Sequence, residues 1–249
     1  MLTKKKAKFI KSLQIKKYRN KEQLFLVEGA KSVLEVLNSD FQVSIIVVTN
    51  DFFSSYGTLI EEKNPGEIVI DQKVQDLGTF KTNNSAIAVV EMKSEKLSHL
   101  PQDRLIICLD GISDPGNLGT IIRTADWYGS QNIIASEDCA EFYNPKTIQA
   151  TMGSFTRIHY QSGVIDAFIS QYQGRVMGAF LEGQSVHSFR FPRQGLLIIG
   201  SESHGIRPPL TEGIEKIKIP GYGKAESLNA AVATGILLDN YIRSISEKA

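Results

Sequence analysis

Cysteine, tryptophan and histidine are scarce in this chain of 249 residues, which holds two, one and four of them. Cys108 and Cys139 have no metal-ligand spacing, and neither do His99, His159, His187 and His204. Neither a disulfide framework nor a metal centre is therefore expected, and a reduced, cytoplasmic protein is the simplest reading. No apolar run reaches the roughly 18 residues that cross a bilayer. The opening stretch, MLTKKKAKFIKSLQIKKYRNK, lacks the apolar core and the small-residue cleavage site of a secretion signal. Three catalytic signatures are absent as well. No G-x-G-x-x-G follows a strand, no G-x-x-x-x-G-K-[ST] cradles phosphate, and no G-x-S-x-G presents a nucleophile.

What is present is unevenly distributed. Residues 1–31 carry a net charge of +8, and the remainder carries −7. A basic segment on an otherwise acidic protein suits a polyanionic partner, although a solvated basic helix would read the same way. Apolar spacing at Phe9, Ile10, Leu13 and Ile15 predicts a helix over 8–18, which would hold Lys8, Lys11, Lys16 and the nearby Arg19 ready for phosphate. Strands are expected at 24–27, 43–49, 67–70 and 86–92, with helices from Glu28–Gly29 to Leu37, over 51–63 and over 71–80. Strands separated by helices make a small α/β domain, 1–97. The polar stretch 93–103 reads as a linker.

A second α/β series, 104–249, follows. Its strands fall near 105–109, 132–135, 157–160, 175–180, 196–200 and 215–219. Its helices are expected near 117–128, 144–151, 163–172, 206–212 and 227–245. This alternation predicts a mainly parallel sheet covered on both faces, and such sheets bind ligands at the carboxyl ends of their strands.

Three glycine-bearing loops sit at those ends. The first, LDGISDPGNLGTIIRTADWYG, turns at Asp-Pro-Gly and enters a helix near Asn117, which could cap it. Arg123 lies four residues beyond Gly119; it could face the strand ends or only pair with Asp126. The second, LLIIGSESHGIRPPL, sets Glu202 between Gly200 and Gly205, placed to accept hydrogen bonds from a neighbouring loop or to serve as a plain turn residue. The third, IKIPGYGKAESLNAAVATGILLDNYI, leads through Pro220 and Gly221 to Ser227, which could cap the last helix, and to Asn229 on an otherwise apolar face. A buried asparagine needs partners, and that favours a functional contact.

Together the three loops resemble the SpoU/TrmH family of the SPOUT methyltransferase superfamily. Asn117-Leu118-Gly119-Thr120-Ile121-Ile122-Arg123-Thr124-Ala125 is similar to its first motif, N-x-G-x-x-x-R-[ST]-A. Gly200-Ser201-Glu202-Ser203-His204-Gly205 resembles its second, G-x-E-x-x-G, and Ile219-Pro220 with Ser227-Leu228-Asn229 its third. Gly221 departs from the pattern, because many relatives carry Met there. The stretch LFLVEGAKSVLEVL is similar to the small substrate-binding domain of the ribosomal-RNA branch.

The resemblance implies a trefoil-knotted C-terminal domain, a homodimer formed through that domain, and S-adenosylmethionine as cofactor. Phe180, Leu181, Glu182, Gly183, Gly200, Ser201, Ile219, Pro220, Gly221 and Leu228 would hold the cofactor, with Glu202, Ser227 and Asn229 organising the pocket. Arg123 and Asn117 would face methyl transfer to a ribose 2′-hydroxyl, Arg123 also touching RNA. An arginine pKa above ~12 makes Arg123 better suited to orient and stabilise charge than to act as base. Ribosomal RNA is the expected substrate ahead of transfer RNA. An inactive RNA-binding relative and a base methyltransferase are the competing readings.

Overall fold

The computed structural model describes residues 2–80, 82–93, 104–211 and 213–246. From 94 onward the expected linker lies outside these residues. In the first half run α1 (Lys4–Ser12), α2 (Lys16–Glu22), β1 (Leu24–Glu28), α3 (Ala30–Leu37), β2 (Val43–Val48), α4 (Asn50–Lys63), β3 (Ile68–Ile70) and β4 (Ala86–Glu91). In the second run β5 (Leu105–Asp110), α5 (Pro115–Trp127), β6 (Asn132–Ser136), α6 (Pro145–Thr151), β7 (His159–Gly163), α7 (Ile165–Gln171), β8 (Val176–Ser185), β9 (Gly195–Gly200), β10 (Glu215–Lys218) and α8 (Ala230–Ser246). No helix of the described residues is long and apolar enough to cross a membrane.

The chain forms two compact units. One comprises Met1–Ser94 with Glu141–Thr156, the other Glu95–Ala140 with Arg157–Ala249. The segment carrying α6, which the sequence pattern leaves in the C-terminal half, thus packs within the first unit.

The first unit has a four-stranded sheet in the order β1-β4-β2-β3, antiparallel except for the β2–β3 pair. One face of the sheet carries an aliphatic core of Ile10, Leu13, Leu26, Val47, Ile87 and Val89 among others. Residues alternate across a strand, so Phe25, beside Leu26, turns to the other face. There it meets Phe41, Tyr143 and Phe155 at ring-centroid distances of 5.9, 4.4 and 5.8 Å.

The single helix expected over 8–18 is two helices. Arg19 explains the break: its guanidinium donates to the carbonyls of Leu13 (3.0 Å) and Gln14 (2.8 Å), which a continuous helix would have used internally. It also forms a two-point pair with Glu141, Nε to Oε1 at 3.1 Å and Nη2 to Oε2 at 2.5 Å. Arg19 is 1% exposed, so it is not available to RNA as its sequence context suggests. Lys8, Lys11 and Lys16 are exposed. The helix expected over 71–80 shrinks to a short 3-10 turn, Val74–Asp76. The buried Glu28 carboxylate takes the backbone N–H groups of Thr79 and Phe80 instead.

The second unit has a six-stranded sheet in the order β10-β8-β9-β5-β6-β7, every pair parallel. Its central strands are apolar but for Asp110 at the end of β5, as a sheet covered on both faces requires. Cys108 is fully buried there, and burial beside Asp110 pushes its thiol well up, leaving it inert. The helix expected over 206–212 is a 3-10 turn, Pro208–Thr211.

Removing one partner of a buried pair leaves the other charge stranded, typically at a cost of about 3–5 kcal/mol. Arg19→Ala should therefore lower the urea midpoint strongly, whereas Lys16→Ala should stay within about 0.5 kcal/mol of wild type. Equal midpoints for Arg19→Ala and wild type would show that the pair contributes nothing.

Candidate active site

All three loops belong to the second unit, and hydrogen bonds join them. Asp114, not Asn117, caps α5, its Oδ1 accepting from the Asn117 backbone N–H at 2.8 Å. That leaves the Asn117 side chain free to reach the second loop, where its Nδ2 donates to Glu202 Oε1 at 2.7 Å. Asn229 Nδ2 donates to Asn117 Oδ1 at 2.9 Å and to Glu202 Oε1 at 3.4 Å. The Ala230 backbone N–H, at the start of α8, donates to the same Glu202 oxygen at 3.2 Å.

Asn229 is exposed rather than buried, and its partners are nevertheless in place. It also replaces Ser227 as the cap of α8, its Oδ1 accepting from the backbone of Ala231 (2.9 Å) and Val232 (3.3 Å). The helix therefore starts three residues later than Ser227. Ser227 and Leu228 stay in the loop and line a cavity.

That cavity measures about 970 Å³ and is walled by the loops after β9 and β10 and by a bulge in β8. β10 pairs with β8 at Met177 and Gly178, then again only at Gln184 and Ser185, so the stretch between them stands out from the ladder. Phe180, Leu181 and Glu182 are in this bulge and line the cavity. Gly183 closes the bulge at φ 139°, where a Cβ would lie 2.4 Å from the Lys216 carbonyl oxygen. Gly200, Ser201, Glu202, Ile219, Pro220 and Gly221 complete the expected lining. Gly200 is required by a close approach: its Cβ would fall 2.1 Å from the backbone of Gly205.

Sequence reasoning passes over Ile199, Ile206, Lys216, Ile217 and Ala233, which also line the cavity. The aliphatic ones carry no motif and look like core; only their place at strand ends could have marked them. Gly183, Asn229 and Asn117 are not part of the lining, although Asn117 and Asn229 brace Glu202, which is. Arg123 lies apart. It follows Asn117 by six positions, about 240° further round α5, is exposed, and has no partner among the described residues. The alternative pairing with Asp126 is not made. Asp126 is taken by Arg157, with Nη2 to Oδ2 at 2.8 Å.

Apolar walls, a volume at the upper end for small-molecule sites and a few convergent polar groups suit a flat heterocycle with a polar tail. Glu182, Glu202 and Glu226, one from each wall, make the cavity suit a ligand carrying positive charge.

The chain is similar to known proteins over most of its length. The model of the SpoU rRNA Methylase family matches residues 104–239, and that of the MRM3-like substrate binding domain matches 4–100. The chain is 31% identical to the 23S rRNA (guanosine(2553)-2′-O)-methyltransferase RlmP of Bacillus subtilis, over 94% of each protein. It is 32% identical to the 23S rRNA (uridine(2479)-2′-O)-methyltransferase of Streptomyces viridochromogenes, over 64% of this chain and 61% of that protein. The AdoMet-bound rRNA methyltransferase from Sinorhizobium meliloti superposes with a TM-score of 0.86 at 27% identity, covering 98% of this chain and 96% of that one.

The two glycines at the second and third loops separate shape from sequence. Gly200→Ala forces a backbone clash and should cost about 1–3 kcal/mol in chemical denaturation. Gly221, where a Cβ meets nothing within 4 Å, should accept Ala at no cost. Wild-type stability for Gly200→Ala would show that the loop is pliable.

Proposed function

The chain belongs to the SpoU rRNA methylase family, and on that premise we propose how its residues divide the work of an S-adenosylmethionine-dependent methyltransferase acting on ribose 2′-hydroxyls of ribosomal RNA. The observation that carries the reading is the hydrogen-bonded set Asn117–Glu202–Asn229 on the rim of the cavity.

Phe180, Leu181, Glu182, Gly200, Ser201, Ile219, Pro220, Gly221, Ser227 and Leu228 are assigned to the cofactor, with Gly183 shaping the bulge. When bound, S-adenosylmethionine supplies a methyl group on a sulfonium, already a strong electrophile. The chain's own task is then to position the acceptor oxygen and keep water out. Glu202 fixes the Asn117 amide, which can hydrogen-bond the ribose. Arg123 orients the hydroxyl and stabilises the charge developing on its oxygen. The proton leaves to water or an RNA phosphate, since a guanidinium does not accept it.

Arg123 lies outside the cavity of its own chain, so we assign it to the site of a partner subunit in a homodimer. Supporting this, Trp127 is 83% exposed one turn further along α5, and Val232 on α8 is 52% exposed. A second copy covering that face would remove both from water and bring Arg123 with it. The trefoil knot, the functional division at 1–97 and 104–249 and a cytoplasmic location belong to the same proposal. The N-terminal domain carries RNA affinity through Lys8, Lys11 and Lys16.

Full-length protein should bind S-adenosylhomocysteine and methylate transcribed 23S rRNA at a 2′-hydroxyl. Arg123→Ala should lower single-turnover transfer by roughly 10²-fold with little change in cofactor affinity, and Arg123→Lys should rescue poorly. Near-normal transfer by Arg123→Ala would remove the residue from the mechanism. Replacing Lys8, Lys11 and Lys16 by Ala should weaken RNA binding and reduce the salt slope by up to about one for each phosphate no longer neutralised. A slope equal to wild type would show that these lysines do not meet phosphate.

A further inference from the structure

A second cavity, of about 370 Å³, opens at the carboxyl ends of β6 and β7 and plays no part in the site described so far. Its walls include Glu137, Asp138, Val164, Asp166, Arg207 and Leu210. Arg207 is locked in place. Its backbone N–H donates to Asp110 Oδ2 at 2.8 Å and its Nε to Asp110 Oδ1 at 2.6 Å, and Asp110 is 1% exposed at the end of β5. Nη2 also pairs closely with Asp110 Oδ1, and toward Asp138 the contacts are longer, Nη1 to Oδ2 and Nη2 to Oδ1 both at 3.4 Å, which leaves Nη1 as the nitrogen held only loosely. A hydrogen bond from Ser136 holds the Asp138 carboxyl below the usual range, so it is an ionised acceptor at neutral pH. Val164, 60% exposed, gives the cavity an apolar lip.

The two cavities adjoin. A Cβ placed on Gly111 would be 3.6 Å from Asp138 Oδ2 and 3.7 Å from Ser201 Cβ, so one backbone position separates Asp138 from the cofactor loop. A nucleoside lying across that position would set its base beside Asp138 and its ribose on the side of Ser201.

The chemistry of the walls selects among bases. Excess carboxylate repels a phosphate. A bare cation would compete with the guanidinium already present. Guanine alone presents two adjacent donors, N1–H and the N2 amine, next to an acceptor, O6. A carboxylate beside a guanidinium is the complement of that edge.

We propose that this cavity is the base subsite of the methyltransferase, reading the target guanine with the Asp138 carboxylate on N1–H and N2 and with Arg207 on O6. The assignment rests on the methyltransferase reading above. Enzymes that act on a nucleotide lifted from its stack commonly read its Watson–Crick edge in this way.

The test uses the full-length chain, transcribed 23S rRNA and labelled S-adenosylmethionine, with nuclease digestion and mass spectrometry of the products. Only 2′-O-methylguanosine is expected. Asp138→Asn should lower kcat/KM by about 10- to 100-fold, the size of one good two-point base interaction, with S-adenosylhomocysteine affinity unchanged. Val164→Trp, at an exposed lip, should block the cavity without touching the core and reduce transfer likewise. A 2′-O-methyl group on any other base, or wild-type kcat/KM in either variant, overturns the subsite while leaving the methyltransferase reading intact. Absence of transfer from wild type to any 2′-hydroxyl overturns both.

Discussion

One carboxylate oxygen, Glu202 Oε1, gathers three donors from two other loops: the amides of Asn117 and Asn229 and the backbone N–H of Ala230. Each loop is tethered at a strand end, and the second is also closed on itself by the Gly205 N–H donating to the Ser201 carbonyl. The shared acceptor sets the spacing between the start of α5, the turn after β9 and the start of α8. Hydrogen bonds to a charged acceptor are stronger than neutral ones, and the site is solvent-exposed enough that no buried charge has to be compensated. Replacing Glu202 by a residue with one acceptor of lower charge would loosen three boundaries at once.

The cavity behind that set relies on a different device. β8 leaves its ladder with β10 and rejoins it at Gln184. The departure puts backbone groups and side chains of the bulge where a plain strand would have hidden them against its neighbour. Gly183 and Gly200 permit the close approaches on either side. Rigid strands thus hold irregular segments, an arrangement that keeps binding groups in place without ordering a long loop on each encounter.

The parallel sheet and the three loops are legible in the sequence because both leave local marks. Apolar β-branched runs fix the strands, and glycines at their ends mark the turns. Of the two roles the sequence leaves open for Glu202, the structure shows the acceptor for a neighbouring loop. The caps are misread because Asp114 and Asn229 compete with Asn117 and Ser227 a few residues away, and only geometry decides which side chain meets a free N–H. Arg19 looks like its exposed neighbours, since nothing local says that its guanidinium turns inward to Glu141, 122 positions away. The Asp110–Arg207 pair is invisible for the same reason, joining residues 97 apart through a strand order that the sequence does not spell out.

The placement of Glu141–Thr156 in the first unit bears on how the protein is made. A ribosome releases the chain from its N-terminus, yet Arg19 has no anion to meet, and Phe25 lacks two of its ring neighbours, until the polypeptide has been synthesised past Phe155. By then β5, α5 and β6 have emerged. The N-terminal unit is thus completed late, after part of the second sheet is available to fold, so the usual order of N-terminal unit first does not hold strictly here. Until that segment arrives, the nascent chain carries an unpaired guanidinium and an open aromatic face, and that interval is when a chaperone would have most to hold.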